Sequence, residues 1–142
     1  MVIYEWIIER DEDIRMCLDQ YMLESGLQHV YISGAVGSIK DVLLAAPASF
    51  DIPPQLVLTN CKGPAEITGF SGDIYLRQLA PLDELFLDDQ KTSPLFAHIH
   101  MSCAIAGGNT FGGGFRSGKA FRRIKLYVFC RSILTTGRQV VV

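Results

Sequence analysis

Phe96–Phe115 reads FAHIHMSCAIAGGNTFGGGF. Its first half alternates. Ala97, Ile99, Met101, Cys103 and Ile105 fall on one side of an extended chain, and His98, His100 and Ser102 on the other. That period of two predicts a strand with an apolar core face. Gly107-Gly108-Asn109 then supplies residues that tolerate positive φ, the chemistry of a short hairpin turn. The glycines at 112–114 permit a bulge or a close approach of neighbouring backbone. A strand–turn–strand unit is the expectation, and it sets the rest of the chain in a β context.

Working outward, FRRIKLYVFCRSIL alternates in the same way. Ile124, Leu126, Val128 and Cys130 make its apolar face. Arg123, Lys125, Tyr127, Phe129 and Arg131 make the other, where basic groups interleaved with aromatics suit either nucleic acid or a subunit interface. RQVVV is expected to close the sheet. Upstream, strand-like runs are read at Val2–Ile8, LQHVYISGAV, SIKDVLLAA and Gln55–Thr59. AEITGFSGDIYLRQL reads as one or two short strands bent at Gly69 or Gly72. Pro47–Pro54 is loop-like, and PLDELFLDDQKTSP reads as a surface loop or one helical turn.

One segment changes period. In DEDIRMCLDQYMLESG, residues Ile14, Cys17, Leu18, Tyr21 and Met22 recur at helical spacing. Asp11 or Asp13 can cap its start, an acidic first turn suits the dipole, and Gly26 can stop it. One helix against many strands gives an α+β class: a largely antiparallel sheet with one packed helix. The 142 residues suit a single domain, 1–142.

Composition excludes several classes. Nearly half of the residues are apolar and the net charge is −2, so there is no global basic signature for nucleic acid. No run approaches the length of a membrane span, and no basic leader opens the chain. Four widely spaced cysteines without a C-x-x-C pair read as reduced, mostly buried thiols, and a cytoplasmic location follows as the expectation.

Two features invite chemistry. Histidines at i and i+2 of a strand lie roughly 6–7 Å apart at Cα, close enough to share one metal, but a third protein ligand is needed. The alternative is a hydrogen-bonded polar face. Gly113-x-x-x-x-Gly118-Lys119 matches most of a phosphate-binding loop, yet Ala120 replaces the metal-binding hydroxyl and a strand rather than a helix follows. That match is read as chance. Glu66, Asp73 and Ser102 read as ordinary strand or loop residues, and no activated nucleophile or acid–base pair points to a reaction.

The order of these pieces resembles the PPC domain (plant- and prokaryote-conserved domain), which in plants accompanies AT-hook motifs. ISGAVGSIKDVLL, EITGFSGDI and AHIHMSCAIAGGNTFGGGF carry the resemblance, the last being similar to the family's H-x-H followed by a turn and G-G-H. It implies an α+β domain assembled as a homotrimer, with protein partners or weak non-specific DNA contact rather than AT-rich specificity, since no R-G-R-P core is present. It also implies a pocket at His98, His100 and Gly114. Gly114 stands where the third histidine falls, so any cofactor would be a weakly bound divalent metal such as zinc. Arg123, Lys125, Tyr127 and Arg131 remain the candidate nucleic-acid or interface residues. The leading expectation is a non-catalytic trimeric domain with an interaction or DNA-associated regulatory role. The rival is a metal-dependent binder or enzyme using His98 and His100 at a subunit interface.

Overall fold

The computed structural model describes residues 2–85 and 93–130. Arg131, RQVVV and part of PLDELFLDDQKTSP lie outside the described residues. The elements run β1 (Ile3–Ile8), α1 (Ile14–Ser25), β2 (His29–Val36), β3 (Ser38–Pro47), β4 (Leu56–Cys61), β5 (Ala65–Leu76), a 3₁₀ turn (Arg77–Leu79), β6 (Leu95–Ile105), β7 (Thr110–Ala120) and β8 (Ile124–Cys130).

All strand pairings are antiparallel, in the order β1-β8-β2-β5-β6-β7-β3-β4, with an additional pairing of β3 to β5. The registers show why eight strands make one object. His29 faces Tyr75 on β5, and nine residues later Ser38 faces Glu66 on the same strand. β2 and β3 therefore run as one bent ribbon along β5. Their other edge carries β8 and then β7. β6 joins β5 to β7, so β3, β5, β6 and β7 close on themselves. Closure protects the edges of these four strands, while β1 and β4 stand at the two ends of the order.

The core lies inside this closure and under the helix. Val42, Leu44, Phe70, Ile99, Met101 and Cys103 pack with Trp6, Ile8, Ile124 and Leu126. From α1, Ile14, Leu18 and Met22 are buried, each contributing about 1.5–3 kcal/mol of apolar burial. Tyr21 ties the helix to β1. Its ring stacks on Trp6 at 5.0 Å, and its hydroxyl donates to the Ile7 carbonyl at 2.8 Å while accepting from the Ile7 amide at 3.2 Å. One side chain thus caps both backbone groups of an edge-strand residue.

The helix boundaries follow the sequence. Asp13 accepts from the Met16 amide at 2.9 Å, and Gly26 closes the helix in the left-handed conformation at φ 70°. The first turn itself holds no acid, because Asp11, Glu12 and Asp13 all precede it. Asp11 is not the cap. It sits at φ 69° and bonds Lys40, which holds its carboxyl below the usual range. Of the one or two strands expected here, the structure has one: β5 runs 12 residues, Ala65–Leu76, and absorbs its bend in a bulge between Ile67 and Gly69. Cys130 is exposed at the end of β8 rather than buried with Ile124, Leu126 and Val128, and Cys17 is half-buried; Cys61 and Cys103 are the buried pair.

Candidate functional site

β6 and β7 part company partway along. They pair from Ala104–Thr110 to His100–Gly114 and no further, after which β7 continues against β3. A cleft of about 190 Å³ opens at the split. Ala97, His98, Ile99 and His100 form one wall, and Gly113, Gly114, Phe115 and Arg116 the other. Arg15 of α1 and the β3–β4 residues Ala45, Pro47 and Leu56 complete it.

Local sequence explains the walls. Alternation keeps Ile99 and Met101 in the core, so His98 and His100 share the opposite face. Their rings stand 5.2 Å apart at 68°. Gly114 sits directly across from His100, and both bring up the same cleft. Its neighbour Gly113, at φ 152°, lies so close to β3 that a β-carbon there would stand 2.8 Å from the Ala45 carbonyl oxygen. The glycines at this point therefore serve strand-to-strand approach. The stretch Gly113–Lys119 is extended strand, and among the described residues no helix follows it that could offer a phosphate its N-terminus.

Electrostatics separate the two histidines. Burial pushes the His100 imidazole below its ordinary range, and the neighbouring His98 adds to the shift. His98 Nδ1 lies 3.6 Å from the Glu84 carboxylate. Two imidazoles and a glycine do not complete a metal site: among the described residues no group of three His, Cys, Asp or Glu side chains is placed to hold an ion.

Sequence reading missed a second polar unit beside the cleft. Asp73 stands opposite His98 on β5, and on its other side accepts or shares a hydrogen bond with His29 Nε2 at 2.7 Å. His29 stacks on Tyr75 at 4.0 Å. Only the pairing of β2, β5 and β6 brings these residues into one row, and nothing local signals it. Arg15 and Arg116 were missed for the same reason.

The basic strand does not join the cleft. Arg123 is exposed and forks onto Glu9, with Nη2–Oε1 at 3.1 Å and Nε–Oε2 at 3.3 Å. Lys125 and Tyr127 are half-buried, facing Ile7 and Glu5 of β1. Arg131 falls outside the described residues.

Solved structures share this fold. A plant- and prokaryote-conserved protein from Pyrococcus horikoshii is 17% identical with a TM-score of 0.69, covering 90% of this chain and 77% of that one. A metal-containing protein from Archaeoglobus fulgidus is 20% identical, TM-score 0.69, covering 90% and 78%. A protein from Bacteroides thetaiotaomicron, provisionally described as DNA-binding, is 16% identical, TM-score 0.68, covering 92% and 79%. At these identities the likeness establishes the fold alone. No protein with a curated description matches the sequence significantly. The model of the Plants and Prokaryotes Conserved (PCC, or PPC) domain matches residues 3–131, nearly the whole chain, and the chain belongs to that family.

Proposed function

We propose that this chain is a non-catalytic assembly domain that forms a homotrimer and serves a protein-interaction or DNA-associated regulatory role in the cytoplasm. One observation carries the assembly: the β3–β4 hairpin ends in an exposed apolar edge. Among the described residues β4 pairs with β3 alone, and Leu56, Val57 and Leu58 are all exposed, as are Phe50 and Ile52 in the preceding loop. An unpaired, uncharged edge strand of this kind invites another chain. The resemblance to trimeric PPC domains supplies the stoichiometry. The DNA-associated role draws on the description of the Bacteroides thetaiotaomicron relative. Light scattering at micromolar concentration is expected to give three times the chain mass. A monomer would refute the assembly.

A second reading has its own observation. The rings of His98 and His100 lie on one side of β6, 5.2 Å apart, and Leu56 of the apolar edge lines their cleft. A neighbouring subunit docked on that edge would be within reach of the pair and would supply the missing ligand of a divalent-metal or small-molecule site.

A further inference from the structure

The lining of the β6–β7 cleft is charged in one sense. Arg15, Arg116, His98 and His100 face it, and among the described residues it has no carboxylate in its walls. This occurs in a chain whose net charge is −2. Three acids among the described residues lie near it. Asp19 takes the Nε of Arg15 at 2.9 Å, Glu84 flanks His98, and Asp73 is held by His29.

The backbone adds donors. Residues of an antiparallel strand address alternate edges with their N–H and C=O groups. Leu95 turns away from β5: its amide donates to Ser93 Oγ and its carbonyl accepts from Arg15 and Arg77. Ala97 and Ile99, two and four residues on, therefore point the same way, into the gap that β7 has left. Arg15, its side chain only 12% exposed, is fixed at the base of that gap by Asp19 and the Leu95 carbonyl.

We propose that this cleft binds a small oxyanion, a carboxylate or a tetrahedral anion of phosphate type, between Arg116 and the His98–His100 pair, with the Ile99 backbone edge as an additional donor. Its volume, about 190 Å³, lies below the ~300–1,000 Å³ of sites for drug-sized ligands and suits a small anion. Guanidinium and imidazolium groups recognise such anions through charge-assisted hydrogen bonds. The inference goes beyond the assembly reading and requires no metal.

Isothermal titration in about 0.15 M salt with a chelator present tests the proposal. Malonate represents carboxylates and sulfate represents tetrahedral anions. At least one should bind saturably at one site per chain. Arg116→Gln should weaken it about tenfold, the loss expected for one charge-assisted contact. A His98→Gln/His100→Gln double variant should also weaken binding, while its fold is unchanged by circular dichroism. The preference between malonate and sulfate identifies the class. Absence of saturable heat from both anions, equal binding by Arg116→Gln, or binding only when zinc replaces the chelator would each overturn it. The trimer is scored separately by mass, so failure of either proposal leaves the other readable.

Discussion

At the residue scale, Gly114 is the position on which the cleft's chemistry turns. It faces His100 across the ladder, and a β-carbon there would meet only the Ala45 carbonyl oxygen at 3.3 Å, a tight contact but one a small shift relieves. Gly114→His should therefore fold and bring a third imidazole toward His98 and His100. Three imidazoles suit zinc, where two do not. Zinc affinity in competition with a chromophoric chelator is expected to rise at least a hundredfold over the parent. A folded variant with unchanged affinity would show that the three positions do not converge. His100 contributes a pH signature of its own. Its folded pKa lies below the ordinary value, so the unfolded chain takes up the proton first. Its effect on stability is absent above the ordinary imidazole range and appears as a loss as pH falls through that range. His100→Gln should flatten this slope in urea melts between pH 7 and pH 5.

Elements were legible where a period was local. The α1 stripe, its Asp13 cap and its Gly26 stop could be read because a helix satisfies itself within four residues. β6 and β8 could be read from strict alternation. The bend of β5 at Gly69 was legible from its glycine, but its form as a bulge within one continuous strand was not, since that answers to the spacing of Ser102 and Cys103 on another strand. The course of β7 through the glycine run was legible as the second arm of the hairpin, although glycine carries little propensity to extend; its change of partner from β6 to β3 was not, since that rests on a distant segment. The link between α1 and β1 gives a test at this scale. Tyr21→Phe keeps the stacking on Trp6 but removes the hydroxyl that serves both the amide and carbonyl of Ile7. A loss of about 1–2 kcal/mol in urea denaturation is expected, with faster exchange of the Ile7 amide. An unchanged exchange rate would show that β1 does not depend on this cap.

For the whole molecule, the class was legible and the closure was not. Many alternating strands with one amphipathic helix give α+β from sequence alone, but the meeting of β3 with β5 rests on pairings between distant segments. The His98–His100–Gly114 neighbourhood was legible through the H-x-H alternation and the family resemblance. Arg15 and Arg116 entered it only with the sheet's split. Assembly belongs to this scale. A Val57→Lys/Leu58→Glu double variant places charge on the exposed β4 edge, where both native side chains are more than half exposed. It should convert the proposed trimer to a monomer while its melting temperature stays within about 4–8 °C of the parent, since little intrachain burial is lost. A variant that keeps the trimer mass would move the interface elsewhere.

The bent ribbon formed by β2 and β3 also dictates where this chain can be cut or lengthened. Its register against β5 is shared by β8 and β7 on the opposite edge, so one residue inserted between His29 and Pro47 would put two neighbouring ladders out of phase at once. The ribbon tolerates no indel, whereas the β3–β4 connection at 48–55 and the β6–β7 turn at 106–109 belong to no ladder. Peptide tags, fluorophore sites or new chain termini belong in those two connections. Of the two, the 106–109 turn is the one that stands clear of the apolar β4 edge.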